Sequence, residues 1–582
     1  MSTAPPLYAE KTEDRQLHDS MERSRRHAEG GIKKGKKFRD GVPKAFFPER
    51  HSMTEPRPLA DKAAPAAPDA GVLALTRLGF GVSESDLNAF NALGGTDAAR
   101  FQAWINQQLN PASIDDSACD ARVSQAGYTT LGKTTTRLWT EHLQAEDWQI
   151  VMQPFWETHG RTWLRAIHSK RQLNEIMVDF WHNHFNIFAD EVPYGPLWAH
   201  WDRDVIRANA LGNFRQMLEA SAASPAMLFY LDNAYNSNED ANENYARELM
   251  ELHTLGADHY FGSTAPNQVP THPDGTPMGY VEDDVVEAAR CLTGWTVDTQ
   301  WVYWQFGETG NFRYEAPWHD TGAKSVVGLS VPAGQGDLQD ARDLFDHLAS
   351  HPGTAAFVAG KIARRLMADQ PPQSVVDDAA ATFLAHVGAA DQIARVVRSI
   401  LEHPLFLVTW GEKVKRPFEI AASMFRGVGV ELPFDLQDMI NGTSGWFLWE
   451  YRQTGHALFR WAPPNGYPDI KEKWNTTSPR VMTWRLANML LGIWDEDTDY
   501  FLFDLRQMTP AGVRSAQEIV GYWSQRILGR ALPTSEAQPL IDFMAQDSNP
   551  DADLPIDADW ETAERLRGTV SLILMSPTSL WK

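Results

Sequence analysis

Apolar residues recur every three to four positions through most of this chain, the period of helices that bury one face. The pattern begins at Val72-Leu73-Ala74-Leu75-Thr76-Arg77-Leu78, stops at Gly79-Phe80-Gly81, and resumes after Ser83, which can cap the next helix. It predicts helices over roughly 97–109, 135–145, 149–168, 171–188, 197–210, 213–222, 240–255 and 282–293, punctuated by Pro111, Pro154, Pro193 and Pro225. Between 295 and 332 the pattern turns β-rich: Trp295-Thr296-Val297, Trp301 to Phe306, and Ser325 to Val331, separated by Gly, Asn and Asp. Helical periodicity returns near 336 and runs to about 430, with breaks at Pro352, Pro371-Pro372, Pro404 and Pro417.

These shifts divide the chain. Residues 1–70 read as a disordered tail, basic and Pro-rich, ending in Lys62-Ala63-Ala64-Pro65-Ala66-Ala67-Pro68. A helical region covers 71–294, a small β insert 295–332, and a second helical region 333–441. A Gly/Pro/Trp-rich stretch over 442–479 reads as an ordered functional loop whose aromatics need something to pack on. A C-terminal helical region fills 480–582. No repeat of 20–50 residues is present, which disfavours a solenoid. The expected fold is mainly α: a multi-helix body with a small β insert and a long ordered aromatic loop.

Composition narrows the partners. Residues 1–62 carry 14 Lys+Arg against 10 Asp+Glu, and the remainder 39 against 66, a net of −27. So acidic a body repels phosphate backbones and is a poor nucleic-acid binder. No apolar run approaches the ~20 residues that span a bilayer. Arg25-Arg26 is not followed by an apolar stretch, so no signal peptide is recognisable; the chain reads as cytoplasmic, or as exported together with a partner. Cys119 and Cys291 form no CxxC pair, which removes a cysteine-based zinc site and a disulfide framework. The 22 Trp residues ordinarily fill space between helices, although in enzymes acting on sugars Trp also forms stacking platforms.

Two helical segments carry most of the candidate chemistry. In Asp179-Phe-Trp-His-Asn-His-Phe-Asn186, His184 falls on an apolar stripe with Met177, Phe180, Trp181 and Ile187 and reads as a buried imidazole with one polar partner. His182 shares a face with Asp179, which could fix its tautomer as in metal or base histidines, or form only a local surface pair. In Asn242-Glu-Asn-Tyr-Ala-Arg-Glu-Leu-Met-Glu-Leu-His253, the residues Asn244, Arg247, Glu248 and Glu251 form a polar stripe. That stripe is either an ion-pair ladder through Glu243, Arg247 and Glu251, or the lining of a cleft. In a cleft, Arg247 would hold one carboxylate charged while the other ligates a cation or moves a proton. Asp283, Glu287 and Arg290 repeat the motif, and His319-Asp320 reads as a loop pair in a Trp-His-Asp turn that suits a ligand pair or a cap. HExxH, GxSxG, a Walker loop and a GxGxxG after a strand are absent.

Several long motifs occur in a fixed order: Arg77-Leu-Gly-Phe-Gly81, Phe180-Trp-His-Asn-His-Phe185, Asn242 to Gly256, Asp284-Val-Val-Glu-Ala-Ala-Arg-Cys-Leu-Thr-Gly-Trp295, His319-Asp-Thr-Gly-Ala-Lys324 and Lys415-Arg-Pro-Phe-Glu419. On these the chain, from about Leu73 onward, resembles the bacterial domain-of-unknown-function-1800 family. The resemblance implies no settled activity. It implies secretion in many members, and frequent encoding beside an exported sulfatase-like protein of the domain-of-unknown-function-1501 family. Two functions are therefore expected. The first is a metal-assisted, hydrolase-like enzyme acting on an envelope or extracellular polymer such as a polysaccharide. In it a divalent metal is held by His182, Glu248, Glu251, His319 and Asp320, which also serve as acid/base groups, with Arg247 as electrostatic stabiliser, in a cleft between 171–188 and 240–255 closed by 295–325. The second is a non-catalytic partner or scaffold for the sulfatase-like protein.

Overall fold

The computed structural model describes residues 67–495 and 500–582; the tail assigned to 1–70 lies almost wholly outside them. The body is mainly helical, with three two-stranded antiparallel sheets among the described residues. The first helix, Ala70–Arg77, is capped by the Asp69 carboxylate, and Ser83 caps Glu84–Asn91 by accepting from the Asp86 amide at 3.2 Å. Helices follow at Asp97–Gln108, Trp148–His168, Gln172–His184, Phe214–Ala222 and Glu282–Cys291, close to the positions their periodicity predicts. Pro154 does not break its helix but lies within Trp148–His168, nearly two turns from its start, and Thr158 donates to the Pro154 carbonyl at 2.7 Å.

Three predicted helices are less regular. The 135–145, 197–210 and 240–255 segments pass from α-turns into π-turns at Trp139–Leu143, Trp201–Ile206 and Leu249–His253. A π-turn inserts a residue into the helical register, so side chains beyond it leave the stripe that a 3.6-residue period assigns them.

The β insert is two hairpins. Trp295–Val297 pairs with Phe312–Tyr314, and Lys324–Val326 with Leu329–Val331 around a Val327-Gly328 turn. The expected strand at Trp301–Phe306 is instead a run of turns, whose aromatics are used sideways: Trp301 packs on Trp139 at 5.3 Å and Phe306 on Trp318 at 5.4 Å. The 442–479 stretch is also more regular than expected. Thr443–Arg452 and Lys471–Trp474 are helical, and in the first of them Phe447 and Tyr451, four apart, both bury against Trp163. The irregular loop is confined to 453–470.

One continuous hydrophobic core joins the regions, with Trp139, Trp163, Trp181, Trp198, Trp201, Trp295 and Trp523 fully buried. Beside it lies a buried ionic network. Glu419 receives Arg365 at 3.0 Å, Arg416 at 3.7 Å and the Lys582 ammonium, while Asp179 receives Arg365 at 2.9 Å and the Arg416 guanidinium. Burial alone would raise the Glu419 carboxyl, but these three cations hold it well below the usual carboxylate range. Both cysteines are free and buried.

Candidate functional site

The Gln172–His184 helix stops short of its predicted end because its last polar side chains are engaged by another segment. Asn183 donates to the Tyr467 carbonyl at 2.9 Å and accepts from the Tyr467 amide at 2.7 Å. Asn186 donates to the carbonyls of Trp461 and Pro463, each at 2.8 Å. Tyr230 adds a bond to the Ala462 carbonyl at 2.6 Å. The chain can come this close only because residue 466 is glycine: its φ is +71°, and a Cβ there would sit 2.1 Å from the Asn183 carbonyl. The segment closing over this end of the helix is therefore 457–467. The 295–325 segment, expected in that role, packs elsewhere: Asn238 bonds the Trp318 carbonyl at 2.8 Å, and Trp295 meets Phe345 at 5.6 Å.

The two motif helices do adjoin, but through residues other than those expected. His184 Nε2 lies 3.1 Å from the His253 carbonyl, and the two imidazole centres are 6.2 Å apart. Both rings are buried, and burial lowers both pKa values, that of His253 to about 3, so each is neutral at physiological pH. His184 thus has the single polar partner its apolar stripe predicted.

His182 does not pair with Asp179. Its Nε2 meets Asp202 Oδ1 at 2.7 Å, and Asp202 is also bound by Arg207 at 2.8 Å and by the Arg161 guanidinium. Burial would raise the Asp202 carboxyl, yet the two guanidiniums hold it far below its ordinary value. Asp179 is drawn away by Arg365 and Arg416, a preference that arises from segments more than 180 residues distant. A narrow cavity of about 260 Å³ touches His182, Glu175, Asp179, Arg207 and Phe459. Its polar lining is almost fully engaged in ion pairs, and the Phe459 ring lies tilted against the imidazole, 4.7 Å between centres.

His319 and Asp320 are tied into a third network. His319 Nε2 faces Asp340 at 3.1 Å and its Nδ1 the Thr293 carbonyl at 3.0 Å; Asp340 also receives Lys324 at 2.6 Å. Asp320 is held by Arg290 at 2.8 Å, and this hydrogen bond lowers its carboxyl pKa to about 2.

Arg247 completes the first half of the predicted ladder, to Glu243, and not the second, to Glu251. It binds Glu243 at 3.2 Å and Glu282 at 2.6 Å, and Glu282 also accepts from the Tyr260 hydroxyl. Glu251 is left out because the π-turn begins at Leu249 and turns it off the stripe. Glu248 and Glu251 thus remain as neighbours, both half-buried, and no described residue donates a hydrogen bond to either. Burial first, and the Glu251 charge second, raise the Glu248 carboxyl to about 7, with Arg247 opposing only weakly. The Tyr230 and Tyr280 phenols are raised by burial first and by the charge of Glu248 or Glu251 second. Sequence periodicity flagged this pair, but the raised affinity for a proton depends on burial that the sequence does not show.

Of the predicted residues, then, Glu248 and Glu251 come together, while His182, His319 and Asp320 sit in separate ion networks. Among the described residues no three His, Cys, Asp or Glu side chains are grouped as a metal cage. No described helix is long and apolar enough to cross a membrane. A family model described as "Protein of unknown function (DUF1800)" matches residues 73–581. No curated protein and no solved structure matches the chain.

Proposed function

Since the chain belongs to the domain-of-unknown-function-1800 family, which carries no assigned activity, we propose from the site alone that it is a hydrolase-like enzyme using Glu248 to move a proton. The single observation behind this reading is the unpaired carboxylate couple: Glu248 holds its proton to about pH 7 with Glu251 beside it and no cation bound to either. A group poised near the working pH is what general acid catalysis requires. Protonated Glu248 would donate to the leaving oxygen of the bond being hydrolysed. Glu251 would be the negative neighbour that keeps the proton in place until then. The proposed substrate is an envelope or extracellular polysaccharide. A divalent ion would find two carboxylate ligands here and would need water for the rest of its shell, as hard cations accept.

Wild type, Glu248→Gln and Glu251→Gln should be incubated with neutral and amino-sugar polysaccharides, with new reducing ends counted. Wild-type turnover is expected to fall as pH rises through about 7, because the acid form is lost. Glu248→Gln should lower the rate by about 10²–10⁴-fold, and Glu251→Gln should move the falling limb to lower pH. Full activity in Glu248→Gln, or no turnover of any polymer, sinks the reading.

The second reading, a scaffold for a sulfatase-like partner, is favoured by one observation: His182, Arg247, His319 and Asp320 are all spent in ion pairs or hydrogen bonds. It requires co-purification of that partner, and substitutions at the carboxylates that alter no rate.

A further inference from the structure

Folding drives Trp inward, because each indole removes a large apolar area from water. Trp494 and Trp560 resist this: they are 44% and 49% exposed although they touch each other, with ring centres 5.9 Å apart. Trp494 belongs to a short hairpin, Trp494–Asp495 paired with Tyr500–Phe501, and Trp560 opens the Trp560–Met575 helix. Phe501 stacks on Trp560 at 5.6 Å and 22°, and meets Trp494 edge-on at 5.5 Å. Guanidiniums back the smaller rings: Arg506 lies 3.7 Å from the Tyr500 ring centre and Arg567 5.4 Å from that of Phe501.

The aromatic face continues along the preceding helix, Thr477–Leu491. Trp484 is 41% exposed and shares a stripe with Asn488 and Gly492, four residues apart; a Cβ on Gly492 would lie 3.7 Å from Arg567. At a helical rise of ~1.5 Å per residue, Trp484 stands about 12 Å along the axis from Gly492 at the helix end, beside Arg567, which draws the face out into a row. Along its rim Arg506 binds Asp504 at 2.8 Å and Arg567 binds Glu564 at 3.1 Å, offering hydroxyl groups both donors and acceptors. An elongated strip of exposed indoles with a polar rim fits the apolar faces and hydroxyl edges of a sugar chain. The net charge of −27 outside residues 1–62 turns away polyanions and admits an uncharged or amino-bearing polymer.

We propose that Trp484, Trp494 and Trp560 form a binding face for a neutral or amino-sugar polysaccharide. It deepens the function proposed above by naming the polymer's charge class, and rests on that reading for the ligand's class alone, since binding is read without turnover. Full-length protein should be run on native gels containing hydroxyethyl cellulose, glycol chitosan or hyaluronate. Wild type is expected to be retarded by at least one of the first two and not by hyaluronate. The Trp494→Ala/Trp560→Ala pair should bind about tenfold more weakly or worse, and Glu248→Gln should be retarded like wild type. If the double variant melts early, Trp484→Ala on its exposed helical face gives the same readout. Equal retardation of the Trp variants, equal retardation by hyaluronate, or none in any gel overturns the inference. So does sedimentation showing a wild-type dimer that the variants lose while no polymer retards either. Retarded wild type with no reducing ends released would defeat the catalytic reading and leave this face standing.

Discussion

Replacing Glu248 by Gln should make the protein more stable at pH 8 and leave it nearly unchanged near pH 4.5. In the unfolded chain this carboxyl titrates near its ordinary 4.5, and in the folded protein at about 7. Between those values the folded state binds more protons, so stability falls as pH rises through that window; above it the full cost of an ionised, half-buried carboxylate beside Glu251 is present. Glutamine stays neutral and removes that cost. Carried in full, the gap corresponds to ~3 kcal/mol; partial exposure and salt reduce it to about 1–2 kcal/mol. Thermal melts of both proteins across pH 4.5–8 should show the variant's advantage opening as pH rises. An advantage equal at both ends, or a loss of stability at pH 8, refutes the raised carboxyl. The same variant should be inactive under the proposed function, so stability and rate would move in opposite directions. A carboxylate kept only for structure would show the reverse: its loss would destabilise.

Glu419 is such a carboxylate. Glu419→Gln strips Lys582 of its ion-pair carboxylate, leaves Arg365 and Arg416 to Asp179 alone, and should cost about 3–5 kcal/mol, read as a lowered urea midpoint. Because its folded pKa is depressed, the stability Glu419 contributes is present above about pH 4.5 and is lost as pH falls below it, so acid melts of the variant should lose less than those of wild type. His182→Asn removes one hydrogen bond to Asp202, which keeps Arg161 and Arg207; a loss of about 1–2 kcal/mol with an unchanged pH–rate profile is expected, and an altered profile would place His182 in the chemistry. Asn186→Ala frees the Trp461 and Pro463 carbonyls and should speed limited proteolysis within 457–467; an unchanged cleavage rate would show that Asn183 and Tyr230 alone hold the segment.

The helices were legible because their apolar stripes are long and their caps local: Ser83 before Glu84–Asn91 needs only three residues to be recognised. Trp301–Phe306 was misread because β-rich composition cannot distinguish a strand from aromatics that pack sideways onto a neighbour such as Trp139. Phe447 and Tyr451 hid a helix within a Gly- and Trp-rich stretch, since what they bury against, Trp163, lies nearly 300 residues earlier. The expected Asp179–His182 pair failed for the same reason. Spacing at i, i+3 permits that contact, but Arg365 and Arg416 offer Asp179 two guanidiniums where His182 offers one imidazole.

The most informative departure is the π-turn at Leu249–His253. With regular helical register Arg247 would reach Glu251 at i+4 and neutralise it, and the stripe would be an ordinary ladder. The inserted residue turns Glu251 away while Glu282, from the next helix, takes up Arg247. Two carboxylates are thereby left together with no ion pair of their own, though the Arg247 charge still acts on Glu248. Elsewhere in the interior Asp179, Asp202, Asp340 and Glu419 are each matched by at least one cation. Selection for stability alone would close the gap with a lysine or revert the turn, since like charges in a half-buried site cost free energy. A restoring test is available: deleting one residue from the π-turn should return Glu251 to Arg247, lower the Glu248 carboxyl by the part of its shift that the Glu251 charge supplies while burial keeps the rest, and raise the melting temperature at pH 8 while lowering turnover. If the deletion leaves the pH dependence of stability as it was, the turn does not set the carboxylate couple, and the proton-transfer reading loses its physical basis.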